Sequence, residues 1–231
     1  MFRLGIWEKA YADMEIGMGS ARVFAAVCAA AILGLTAAPA RAWLFDQQPD
    51  ANTQHTPKGD LPADADPYYS TPEANDKDVD FKTTTKKTIA DPTHEEAGTL
   101  TINTKQRMLY LSQPGGEAIA YRIAVGRQGF SWKGRAEIGR KAYWPGWTPP
   151  PEMIARQSDL PAHVDGGASN PLGARALYLF QDKKDTLFRI HGTNEPKSIG
   201  KAVSSGCIRM LNADVIDLYG RVAKGTKVVV E

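Results

Sequence analysis

The sequence predicts a mainly β domain, sandwich- or barrel-like, with one late helix packed on it. Three observations carry this. After residue 98 the apolar side chains recur in short runs and period-two alternations, turn-forming residues separate those runs, and only residues 212–222 keep a helical period. In order, Leu100 and Ile102 alternate with threonines, and Met108 to Leu111 form a short apolar run. Tyr121, Ile123 and Val125 alternate again after a turn at Pro114-Gly115-Gly116. Ala176 to Phe180, Leu187 to Ile190 and Val228 to Val230 complete the expected strands. For the helix, Asn212 is a good N-cap and Asp214 suits the positive end of the helix dipole. Val215, Leu218, Tyr219 and Val222 fall at i, i+3, i+4 and i+7, and Gly225 can end it. Residues 98–231 thus form one domain of 134 residues, long enough to bury about two-thirds of its unfolded surface.

What precedes the domain divides in two. Residues 1–42 hold Arg22, the apolar run Val23 to Ala38, Pro39, and the small-residue pattern Ala40-Arg41-Ala42. This is the pattern of a secretory signal cleaved after Ala42. The run is too short, too Ala-rich and too abruptly broken at Pro39 for a membrane span. Glu8, Asp13 and Glu15 make residues 1–17 unlike a basic leader, so translation is expected to start at Met18. Residues 43–97 are rich in Asp, Pro, Thr and Lys and poor in large apolar side chains, and a flexible acidic arm is expected there.

Charge separates the same regions. Residues 43–97 hold 12 acidic and 5 basic side chains, and residues 1–42 hold 4 basic and 3 acidic; against +2 for the whole chain, 98–231 carries +8. A basic domain behind an acidic leader suits an anionic polymer, or simply solubility. No basic run with interleaved aromatics points to nucleic acid. There is no phosphate-binding glycine loop, and four scattered histidines give no metal-ligand spacing, so no cofactor and no metal are expected.

Once the signal and Cys28 are removed, Cys207 is the one remaining thiol and cannot form an internal disulfide. A lone thiol in an oxidising compartment invites damage, which directs attention to chemistry. The stretch Ile190-His191-Gly192-Thr193 ends an apolar run, and Ser204-Ser205-Gly206-Cys207-Ile208-Arg209-Met210 follows a loop. Acyl transfer by a cysteine needs a thiolate, a base and donors for an oxyanion. A thiol of ordinary pKa is only roughly 3% ionised at pH 7, so an adjacent imidazole that lowers it would multiply the reactive form. His191 is the candidate base. Gly206 permits a tight turn before the nucleophile, so the amides of Ser205, Gly206 and Cys207 are oxyanion candidates. Arg209 offers a charge for a substrate carboxylate, or is a solvated surface group. His163 beside Asp165 reads as a loop histidine, and His55 and His94 lie in the arm.

These strings resemble the L,D-transpeptidase catalytic domain (YkuD-type) family, whose signature is His-Gly-Thr followed by Ser-His-Gly-Cys-Ile/Val-Arg. The likeness extends from Leu100 through Val230 and includes Asn170-Pro171-Leu172-Gly173 and Asp214. It implies a mainly antiparallel β-sandwich or barrel, Cys207 as nucleophile, His191 as base, and Gly192 as the carbonyl that orients the imidazole. It also implies peptidoglycan stem peptides as donor, with an acceptor amine on a second stem or on an envelope protein, in the periplasm or cell envelope. Ser205 stands where the family commonly has His, which leaves the backbone role intact and removes a rival base. Ser131-Trp132-Lys133-Gly134 replaces the usual Thr-Pro-x-Gly, so Trp132, with Asn170 and Gly173, is expected on the substrate side. A hydrolase on the same bonds and a non-catalytic wall-binding module are the alternatives. A papain-like peptidase is excluded by order, since there the cysteine precedes the histidine.

Overall fold

Alternating side chains can only be buried on one face if strands pair in register, and the observed pairing follows the predicted runs. The computed structural model describes residues 61–72, 74–127 and 132–231. The expected signal, residues 1–42, the first part of the arm and Ser131 lie outside the described residues.

The strands are β1 (Lys87–Ala90), β2 (Leu100–Asn103), β3 (Met108–Ser112), β4 (Glu117–Arg122), β5 (Val125–Gly126) and β6 (Gly134–Tyr143). After the short helix α1 (Pro151–Arg156) come β7 (Arg175–Gln181), β8 (Lys184–His191), β9 (Ala202–Ser204) and β10 (Ile208–Arg209). Helix α2 (Asn212–Arg221) and β11 (Lys227–Val230) close the chain. Nine strands form one sheet in the order β1-β4-β3-β2-β11-β6-β7-β8-β10, and β5 pairs with β9 in a second, two-stranded sheet. Most neighbours are antiparallel, as the resemblance implies; β11 with β2, β10 with β8 and β5 with β9 are parallel. The long sheet curls. Ala124, just past β4, exchanges both backbone hydrogen bonds with Arg209 of β10, at 2.8 and 2.9 Å, so one end of the sheet meets the continuation of the strand next to the other end, as in a barrel that closes in part.

Inside the curl, Leu100, Ile102, Leu109, Tyr121, Ile138, Leu177, Ile190, Met210 and Val228 join Val215, Leu218 and Tyr219 of α2 in one core. Burial of each such side chain contributes about 1.5–3 kcal/mol. The helical face is therefore the predicted one. Its cap is not: α2 starts at Asn212, Leu211 holds the cap position, and no side chain caps it. The helix stops at Arg221, short of Gly225.

From residue 61 on, the expected flexible arm is instead a strap with defined partners. Apolar burial is indeed scarce in it; its carboxylates and hydroxyls are satisfied by the basic domain. Asp76 takes both ends of the Arg175 guanidinium, at 3.0 and 2.7 Å, and the indole N–H of buried Trp144 at 2.9 Å. Asp64 pairs with buried Lys141, and Asp66 with Arg140. Thr84 and Thr85 donate to the fully buried Asp214 carboxylate, and β1 then joins the sheet edge along β4. Asp76→Ala strands a buried guanidinium and an indole N–H, so it is expected to lower unfolding free energy by about 2 kcal/mol. Urea denaturation measures this, and an unchanged midpoint would mean that the strap contributes no stability.

Candidate active site

The parallel pairing of β10 with β8 sets Ile208 beside Ile190 and Arg209 beside His191. Ile190 and Ile208 belong to the core. By strand alternation their neighbours Arg189, His191, Cys207 and Arg209 stand on the opposite face, drawn together from two stretches of sequence.

The turn before Cys207 is built by Ser204. Its hydroxyl donates to the Cys207 carbonyl at 2.6 Å and accepts from the Gly206 amide at 3.2 Å. Gly206 sits at φ +128, a conformation that side chains rarely adopt. This narrows the oxyanion expectation: the Gly206 amide is engaged by Ser204, so of the three predicted donors Ser205 and Cys207 are the ones to consider. Ser204 itself was not singled out by the sequence, where a Ser-Ser pair does not say which hydroxyl closes the turn.

His191 is buried, and its Nδ1 lies 2.7 Å from the Gly192 carbonyl oxygen. A carbonyl only accepts, so the neutral ring carries its proton on Nδ1 and leaves Nε2 as the basic nitrogen. Burial, Arg209 and Arg189 all disfavour the imidazolium and hold its pKa down at about 4, against the opposing hydrogen bonds to the Gly192 and Leu172 carbonyls. Burial likewise pushes the Cys207 thiol up, with Arg189 and Arg209 opposing it. The sequence reading expected an imidazole-lowered thiol. Burial of His191 and partial burial of Cys207 disfavour each charged form, so the resting pair is a neutral thiol and a neutral imidazole.

The family model of the L,D-transpeptidase catalytic domain, YkuD, matches residues 97–230. The chain belongs to this family. The probable L,D-transpeptidase YbiS of Escherichia coli K12 is 34% identical over 148 residues, 61% of this chain and 45% of the relative. The chain spans about half the length of the curated relatives it matches. A solved Brucella melitensis chain, a probable carnitine operon oxidoreductase, is 46% identical and is covered to 99%, against 68% of this chain, with a TM-score of 0.44. An Enterococcus faecium L,D-transpeptidase mutant is 18% identical, covering 59% of this chain and 50% of its own, with a TM-score of 0.46.

Within this transpeptidase domain the expected substrate residues divide. Arg209 is beside the pair, but its guanidinium is taken at 2.6 Å by Glu195, whose side chain is 65% exposed. So exposed an ion pair contributes at most about 1 kcal/mol and is displaceable by another carboxylate. Asn170 is fully buried and does not face substrate: its amide donates to the Val164 and Asp165 carbonyls, and its oxygen accepts from the Leu172 amide. Gly173 is a packing position as well. At φ +64, a side chain there would run into the Asn212 oxygen and the Thr193 amide. Trp132 stacks on Phe188, ring centroids 5.7 Å apart, and lines a small cavity of about 20 Å³ beneath Gly206 and Ile208. Trp144 is buried under the strap, and His163 is a loop histidine bonded to Thr148.

Asn212 has a different role from the predicted one. Its side-chain oxygen accepts from the Ala174 amide at 3.1 Å and the Thr193 amide at 3.0 Å, which ties the residue after Gly192 to the segment entering β7. It thereby holds the carbonyl that orients His191. Asn212→Ala is expected to cost about 2 kcal/mol of stability and to lower turnover by about 10–100-fold. Asn212→Asp keeps the acceptor and should recover most of both. Equal turnover in Asn212→Ala and the wild type would remove this role.

Proposed function

We propose that this chain is an exported L,D-transpeptidase that acts on peptidoglycan stem peptides through a Cys207 thioester. The observation that carries the reading is the parallel pairing of β8 with β10, which sets His191 beside Arg209, two residues after Cys207, in a domain that belongs to this family, with His191 Nδ1 bonded to the Gly192 carbonyl.

The chemistry follows from the groups present. The thiol gives its proton to His191 Nε2 as sulfur attacks the carbonyl carbon between the L-centre of a diamino acid and a terminal D-alanine. Because thiol and imidazole are both neutral at rest, proton transfer and attack proceed together. The Ser205 and Cys207 amides face the developing oxyanion. The imidazolium then protonates the departing amine, D-alanine leaves, and the thioester remains. An acceptor amine, on a second stem or an envelope protein, attacks the thioester and regenerates the thiol. Arg209 exchanges Glu195 for the carboxylate of the substrate.

Export rests on the residue pattern of 1–42. Among the described residues no helix is long and apolar enough to cross a membrane.

The test is product analysis by mass spectrometry on purified muropeptides carrying a tetrapeptide stem. Release of D-alanine with cross-linked dimer is the expected result. Release of D-alanine with only tripeptide stems would make the protein a hydrolase, and intact stems bound without turnover would make it a wall-binding module.

A further inference from the structure

The β7–β8 pair is irregular directly beside the nucleophile. Between the pairs Tyr178–Arg189 and Phe180–Asp185, Leu179 alone faces three residues of β8, Thr186, Leu187 and Phe188. Leu187 sits at φ +66, a left-handed conformation disfavoured by its Cβ. One carboxylate holds this bulge. Asp185 Oδ1 accepts from the Leu187 amide at 2.8 Å and from Arg189 Nη1 at 2.7 Å, and Oδ2 accepts from Arg189 Nη2 at 2.9 Å. The guanidinium also lies 4.4 Å from the centroid of the buried Tyr178 ring, so it is fixed on two sides. The bulge turns the Leu187 carbonyl oxygen to 4.0 Å from Cys207 Sγ, and the β8–β10 register, carried one residue back from Ile190–Ile208, sets Arg189 beside Cys207.

We infer that Arg189 is a positioning residue for the nucleophile: the bulge pinned by Asp185 presents its amide and its fixed guanidinium to Cys207, so that charge developing on sulfur is met by the protein. The inference rests on the proposed role of Cys207. A pre-set cation stabilises such charge without reorganisation, which suits a sulfur partly withdrawn from water. The other groups around the sulfur are Arg209 of β10, which acts in the same direction, Asp185, which opposes it, and His191, which is neutral near pH 7. Glu195 engages the outer end of Arg209. Arg189 is the more constrained of the two cations, bonded to both carboxylate oxygens of Asp185 and lying over the Tyr178 ring.

The experiment is the pH dependence of Cys207 alkylation by iodoacetamide in the full chain, beside carbapenem acylation of the wild type. Arg189→Gln removes the cation and leaves the Asp185 carboxylate unpaired, and both changes raise the thiol pKa. The alkylation midpoint should rise by at least about one pH unit, so that the rate at neutral pH falls about tenfold. The double variant Asp185→Asn/Arg189→Gln leaves no unpaired charge, and its midpoint should rise in the same direction. A purely structural role would lower the melting temperature of these variants and leave the midpoint where it is. An unmoved midpoint in either folded variant overturns the inference. Failure of the wild type to be acylated would instead count against the proposed function, because the alkylation midpoints read Arg189 independently of it.

Discussion

Cys207→Ala is expected to abolish turnover, by on the order of 10⁴-fold or more, because the proposed acyl intermediate forms on its sulfur. The fold should survive. Cys207 is only partly buried, and the turn around it is closed by Ser204 through backbone atoms that alanine retains. Its melting temperature should therefore stay within a few degrees of the wild type, and D-alanine release from tetrapeptide stems measures the loss. Retained turnover in a folded Cys207→Ala protein would remove the thioester route.

His191→Gln is expected to reduce kcat/KM by about 10²–10⁴-fold, the usual contribution of a positioned general base. It should also change how stability depends on pH, with a definite sign. The folded imidazole titrates at about 4, the unfolded one at about 6.5. Between these values the unfolded chain binds more protons than the folded one, so stability is complete above pH 6.5 and declines as pH falls toward 4. The shift amounts to about 3 kcal/mol of order-of-magnitude linkage at the acid end of that window. Glutamine does not titrate, so the variant's stability should decline less across the same window. Urea midpoints at pH 7, 5.5 and 4.5 test this. Parallel decline in both proteins would mean that His191 is not held neutral in the folded state.

What the sequence disclosed and what it did not have physical reasons. Strand runs, the α2 face and the His191 and Cys207 strings were legible because period and local chemistry are written in neighbouring residues. Asp76, Asp64 and Asp66 were read as part of a disordered leader because a carboxylate's partner cannot be seen from its own segment; Arg175, Lys141 and Arg140 lie far along the chain. The same blindness misplaced Asn212, whose neighbours in sequence make it a helix cap and whose neighbours in space are Ala174 and Thr193. Asn170 and Gly173 look like recognition residues in a loop, yet the loop consumes them in holding its own backbone. The bulge at Leu187 had no signal, because a leucine at positive φ replaces the glycine that would have marked it.

Intact mass spectrometry after incubation with a carbapenem, a strained acyl donor, tests the central role of Cys207 and His191 most directly. The wild type should gain the mass of one carbapenem. Cys207→Ala should gain nothing, and His191→Gln should gain the same adduct far more slowly. An adduct on Cys207→Ala, or none on a folded wild type, would contradict the assignment of this site as the acylating centre.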